Sequence, residues 1–168
     1  MKQFFYFSFI MLCLAACKTP KPKVEMPFSI EIMKNGSQIS LVNNDTIVIE
    51  EFEVNGDGDA QFSFGGPIFP DEEFIMEVNT TRNQFAVANQ TFDELCIINC
   101  ESAQSYDEDG ENVFPVSKNF SAQILGEQKF YTHCSPSVAG DHIITYDFHK
   151  LGNPKANIKA TVIYRYNP

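Results

Sequence analysis

The sequence predicts an all-β protein, a sandwich or small barrel of short strands, and three observations say so. Apolar residues recur mostly with period two, turn residues punctuate the runs, and no sustained helical period appears after the first seventeen residues. The aromatic content agrees. Sixteen phenylalanines and six tyrosines with no tryptophan suit a core built from ring packing on pleated strands.

In order along the chain, Phe28, Ile30 and Ile32 alternate with Ser29, Glu31 and Met33 until Asn35-Gly36 marks a turn. Thr46 to Val54 is rich in β-branched residues interleaved with glutamates. Asn55-Gly56-Asp57-Gly58-Asp59 then turns the chain, and Ala60 to Phe64 resumes alternation, which reads as a hairpin. Gly65-Gly66-Pro67 is expected to break the strand, and Glu73 to Val78 to form another. Phe85–Val87 and Leu95–Ile98 are shorter candidates, and Asp107 to Asn112 reads as an exposed loop. Phe120–Leu125, Gln128–Cys134, His142–Phe148 and Ile158–Tyr166 form the closing strands. Gly126-Glu127, Pro136 to Asp141 and Gly152-Asn153-Pro154 separate them.

The amino terminus carries an address. Lys2 precedes an apolar run, Phe4 to Leu14, broken only by Ser8, and Leu14-Ala15-Ala16-Cys17 closes it with small residues. That order is a secretory signal peptide, too short to span a membrane as a stable helix. Leu14 to Cys17 also resembles the lipobox of bacterial lipoproteins, which implies cleavage after Ala16 and acylation of Cys17; the alternative is a plain secretory signal cut nearby. Residues 1–16 are thus the expected signal. Residues 17–26, with Lys18-Thr19-Pro20-Lys21-Pro22-Lys23, form an extended Lys/Pro tether, and residues 27–168 form one domain. Surface-exported lipoproteins of some Gram-negative groups carry acidic residues just after the cysteine. This chain has none before Glu25, so the expected position is the outer membrane facing the periplasm.

The closing third resembles bacterial immunoglobulin-like modules. The resemblance lies in Lys129-Phe130-Tyr131-Thr132, Ala139-Gly140-Asp141-His142-Ile143-Ile144 and Leu151-Gly152-Asn153 before a final strand. It implies an immunoglobulin-like antiparallel β-sandwich. More narrowly, the lipobox, the start Met26-Pro27-Phe28-Ser29-Ile30-Glu31-Ile32-Met33 and the ending Tyr166-Asn167 are similar in plan to the TraQ-like lipoproteins of conjugative transposons. Asn79 to Val116 matches neither pattern, so the likeness covers less than half of the mature chain.

Cys96, Cys100 and Cys134 lie in the domain, and an exported chain meets an oxidising compartment, so one disulfide and one leftover thiol are expected. Sequence alone leaves the pairing open. Cys96 and Cys100 could close a short loop, and either could reach Cys134. Zinc is disfavoured because His133 and Cys134 point to opposite faces of a strand, as do His142 and His149 seven residues apart. Calcium is disfavoured too. Counting from Asn55, the required glycine and glutamate positions hold Ala60 and Gly66; counting from Asp107, they hold Asn112 and Lys118.

No nucleophile elbow, zinc-protease helix, phosphate loop or dinucleotide fingerprint appears, and no enzyme, metal or cofactor is expected. A net charge of −10 opposes nucleic-acid binding. The expected role is a non-catalytic, lipid-anchored interaction or assembly accessory module of the cell envelope, with a protein partner. The TraQ-like resemblance implies a conjugation apparatus. A carbohydrate- or small-ligand-binding lipoprotein is the alternative, and a small envelope enzyme comes behind it. Candidate binding surfaces are the Asn55–Asp59 turn (Asp57, Asp59), the Gly65–Asp71 loop (Phe69) and the Cys100–Asn112 loop (Tyr106, Asp107, Asp109).

Overall fold

The computed structural model describes residues 25–34, 37–83, 86, 91–106, 109–110 and 112–168; Cys17, the predicted signal and most of the tether lie outside the described residues. The strands follow one another as β1 (Phe28–Lys34), β2 (Ser37–Ser40), β3 (Asp45–Ile49), β4 (Glu53–Val54) and β5 (Ala60–Pro70). Then come β6 (Phe74–Arg82), β7 (Phe92–Cys96), β8 (Cys100–Ser102), β9 (Ser105–Tyr106) and β10 (Asn112–Val113). β11 (Ser117–Ile124), β12 (Gln128–Ser135), β13 (Gly140–Lys150) and β14 (Asn153–Tyr166) complete the chain.

They build two large sheets and a separate two-stranded ribbon of β9 and β10. One large sheet runs β2-β1-β5-β12-β7-β8 with β4 beside β5, and the other runs β11-β6-β13-β14-β3. Period-two alternation decides which side chains meet between them. Phe62, Phe64 and Ile68 of β5 and Phe130 of β12 point inward from the first sheet. Met76 and Val78 of β6, Tyr146 and Phe148 of β13, and Val162 and Tyr164 of β14 answer from the second. Ring pairs cross the interface: Phe130–Phe148 at 5.1 Å, Phe62–Tyr164 at 5.9 Å and Phe64–Tyr146 at 6.1 Å between centroids. Each such pair adds about 0.5–1.5 kcal/mol beyond the area it buries.

The hairpin expected around Asn55–Asp59 forms, with Glu53 opposite Gln61 and Val54 opposite Ala60. Asn55 makes the turn. Its N–H donates to the Asp59 carbonyl at 2.9 Å, and its Oδ1 accepts from the amides of Asp57 and Asp59. Gly58 supplies the positive φ of 91°. The side chains of Asp57 and Asp59 stay exposed.

Several expectations need correction. Gly65-Gly66-Pro67 does not end a strand but sits inside β5, so Gly65–Asp71 is not a loop and Phe69 is a half-buried strand residue opposite Ser29. The glycines are there because neighbouring backbone comes too close for a side chain. A Cβ on Gly66 would lie 2.0 Å from the Glu31 carbonyl oxygen, and one on Gly65 would lie 2.2 Å from that of Phe130.

Thr46–Val54 is not one strand. β3 pairs with β14 in the second sheet, β4 pairs with β5 in the first, and Glu50–Phe52 cross between them. The β3–β14 pairing is parallel, an exception in an otherwise antiparallel sandwich. β7 begins before Leu95 and ends at Cys96, and Ile97–Asn99 form a bend. The Cys100–Asn112 stretch holds β8 and β9, and β9 pairs with β10. Within it Asp109 is exposed, Tyr106 pairs through its backbone with Asn112, and Asp107 lies outside the described residues. Of the candidate strand Phe85–Val87, only Ala86 is described, and it is buried.

Candidate functional site: an acidic groove opposite a buried ion pair

Five places gather polar or reactive groups. The first is a buried strut between the sheets. Alternation along β6 turns Arg82 inward and alternation along β7 turns Asp93 inward, so the two meet across the core. Arg82 Nε donates to Asp93 Oδ1 at 2.7 Å and Nη2 donates to Oδ2 at 2.5 Å, with both side chains almost wholly buried. Burial pushes the Asp93 carboxyl above its ordinary range, while the guanidinium pulls the other way. Beside this pair, Thr91 Oγ1 lies 2.6 Å from His142 Nδ1, and His142 Nε2 lies 2.9 Å from the Val138 carbonyl. Because a carbonyl only accepts, Nε2 carries the proton and Nδ1 accepts from the threonine hydroxyl. Burial lowers the His142 pKa, with the Val138 carbonyl and Asp141 opposing it.

Deeper in the core, Tyr146 and Tyr164 join hydroxyls at 3.1 Å, and Tyr164 meets Thr132 Oγ1 at 2.7 Å. Thr132 donates onward to the Phe64 carbonyl at 3.2 Å. Burial drives both phenols far above their normal range, so these groups are structural donors rather than acids.

The cysteines are resolved. Cys96 and Cys100 face each other across the β7–β8 hairpin and form the disulfide, leaving Cys134 as the buried free thiol among the described residues. Burial first, and Asp93 second, push the Cys134 thiol well above its ordinary pKa, which suppresses thiolate chemistry there. Glu94, Cys96 and Cys100 place ligand-type atoms close together, but both sulfurs are spent in the disulfide. A pocket of about 230 Å³ adjoins this hairpin, with Leu95, Ile97, Ile98 and Phe120 among its walls.

On the outer face of the first sheet, Ser63, His133 and Glu94 stand in one row across β5, β12 and β7. Ser63 Oγ lies 3.2 Å from His133 Nδ1. The pair is exposed on an open strand surface, and among the described residues no carboxylate is hydrogen-bonded to the imidazole. A working nucleophile needs that orientation and a sheltered set of oxyanion donors.

A groove of about 600 Å³ opens where the two sheets part. One wall is β3 with the crossover that follows it, namely Ile47, Val48 and Ile49 and then Glu50 and Glu51. The other wall is Ser63, Phe64 and Gly65 of β5, with Met33 of β1 and Tyr131 of β12. Met33, Val48 and Tyr131 are 60%, 43% and 44% exposed, so apolar surface lines an open cleft. Three carboxylates (Glu50, Glu51 and Glu53) ring it, and no lysine or arginine is among its described lining residues. Glu50 pairs with Arg165 at 3.0 Å, and Arg165 also holds Asp141. Glu51 and Glu53 make no salt bridge among the described residues. Phe52 roots the crossover by packing on Phe62 and Tyr166, each at 5.4 Å.

None of the three loop surfaces singled out from sequence lines this groove. The Asn55–Asp59 turn lies just beyond β4, while Phe69 and Asp109 are elsewhere. The groove was missed because Thr46–Val54 reads as one continuous strand. The only local hint is the cluster of glutamates at its centre, which a sheet-crossing segment can expose. The Arg82–Asp93 strut carries no such hint, because Phe92-Asp93-Glu94-Leu95-Cys96 does not alternate apolar with polar and only the folded strand turns Asp93 inward.

No protein-family model matches the chain, and no curated protein does either. Solved structures do. The chain is similar to the N-terminal domain of PorA, with a TM-score of 0.54 and 15% identity over 82% of this chain and 97% of that one. A PapD-like domain of human CEP192 matches 92% of the chain at 12% identity, with a TM-score of 0.36. At such identities the likeness concerns the fold alone. The two facing sheets and the likeness to the PorA domain make the fold an immunoglobulin-like β-sandwich.

Proposed function

We propose that this protein is a non-catalytic interaction module of a bacterial cell envelope, held to the membrane by a lipid on Cys17. The observation that supports it is the groove between β3 and β5, an open cleft lined by apolar side chains and rimmed by carboxylates. Its other polar clusters are either sealed in the core or left on an open sheet face. Rigid sheets with an exposed cleft suit docking of another chain. The Lys/Pro stretch after Cys17 serves as a spacer between membrane and sandwich. The accessory role in a conjugation apparatus implied by the TraQ-like resemblance is the finer form of this reading.

The test is a pull-down of the tagged full chain from detergent-solubilised native membranes, with Cys17→Ala as the matched control. A stoichiometric envelope partner whose recovery falls in the Cys17→Ala control supports the reading. Recovery of the chain alone sinks it. One observation favours a second reading: Tyr131 and Phe52 are aromatic residues at the groove, the arrangement a carbohydrate site uses. Binding of a glycan array that is lost in Tyr131→Ala would move the assignment there.

A further inference from the structure

β5 is an interior strand with an incomplete partner on one side. β12 pairs with it continuously from Phe62 to Ile68. On its other edge, β4 covers only Ala60 and Gln61, and β1 covers only Ile68 to Pro70. β1 then pairs with β2 from Glu31 to Lys34, and its Glu31 carbonyl still lies where a Cβ on Gly66 would be. Ser63, Phe64 and Gly65 are therefore left with no strand beside them on that edge, and all three line the groove. Interior strands normally have their backbone donors and acceptors paired on both sides, and an unpaired stretch is a template for another chain.

The groove also states what kind of chain fits. Its floor and walls are apolar at Phe64, Ile47, Val48 and Met33. Its rim is acidic, and Glu51 and Glu53 are the carboxylates there without a cation among the described residues. Glu53 sits on β4, directly at the end of the vacant interval. A second copy of this chain, at net charge −10, would meet those carboxylates with more negative charge.

We infer that the groove receives an extended segment of a partner protein, basic and apolar residues alternating, which adds as a strand to β5 between β4 and β1. Its backbone pairs with the Ser63–Gly65 stretch, its apolar side chains enter the cleft, and its lysines or arginines face Glu51 and Glu53. This rests on the interaction-module reading and specifies its mode.

The test uses the full chain in mild detergent and a blocked peptide of alternating lysine and valine as the probe. Amide exchange is followed residue by residue. Binding that slows exchange at the amides of Ser63–Gly65 that face away from β12 supports the inference. Two further arms sharpen it. Methylating alternate backbone nitrogens of the peptide should abolish binding, because strand pairing needs those donors. Glu51→Lys with Glu53→Lys should weaken it about tenfold or more. Equal binding by the methylated peptide, protection confined to β3, preference for a glutamate–valine peptide, or self-association at the groove would each overturn the inference. So would displacement of the probe by a peptide of residues 18–24, which would show the groove to be the seat of the chain's own tether. A membrane partner captured without any change in exchange at Ser63–Gly65 would leave the interaction-module reading standing and remove only the strand-addition mode.

Discussion

Where β6 meets β7 the two sheets are joined by a buried ion pair; where β3 crosses to β4 they part around an open groove. At the first seam Arg82 and Asp93 satisfy each other with two short hydrogen bonds, and Thr91 with His142 adds a neutral contact beside them. At the second, carboxylates of the same chain stand in solvent, and a stretch of β5 lacks a strand on one of its two edges. The difference shows that one sandwich can close one seam with a buried, fully paired charge and leave the other open to solvent. It also predicts that substitutions at the buried seam cost the most stability.

The sharpest way to break the comparison is at Arg82. Arg82→Ala leaves a buried carboxylate uncompensated, and the expected loss is about 3–5 kcal/mol, read by chemical denaturation. Replacing both partners by apolar residues, Arg82→Met with Asp93→Leu, should recover much of that loss. A single variant as stable as the parent would show that the strut does not close the seam. Gly66→Ala comes next. Its methyl would drive into the Glu31 carbonyl, so β1 must move, at an expected cost of about 1–3 kcal/mol. Such a shift would also reshape the groove, so this variant probes the open seam.

Cys100→Ser opens the short β7–β8 loop and should cost about 2 kcal/mol, since a small loop limits how far the crosslink restricts the unfolded chain. Thermal unfolding with and without reductant should show the same difference. The smallest effect concerns pH at His142. Its folded pKa is lowered, so below about pH 6.5 the unfolded chain binds the proton more readily than the folded one. Stability therefore falls as pH drops through that point, and it levels once the folded ring is protonated too. His142→Gln should flatten that part of the stability profile; an unchanged slope would place the titration elsewhere.

The closing strands were legible because alternation there is uninterrupted and the turns are explicit, as at Gly152, whose φ is 79°. β5 was misread at Gly65-Gly66-Pro67, because the same dipeptide that marks a turn also marks a strand pressed against neighbouring backbone. β2 went unnoticed because all of its side chains are exposed, so it carries no apolar period. The disulfide was left open among three cysteines, and chain separation alone could not decide it.

Taken alone, the sequence determined the all-β class, the inward and outward faces of most strands, and the hairpin at Asn55–Asp59. These follow from local chemistry: period-two burial, glycine at positive φ and an asparagine that caps its own turn. The pairing of Arg82 with Asp93, the choice of Cys100 for Cys96, and the groove between β3 and β5 were decided by the three-dimensional arrangement. Each depends on which strands become neighbours and where a strand leaves its sheet. That is a matter of packing between residues far apart in the chain, and no local pattern encodes it.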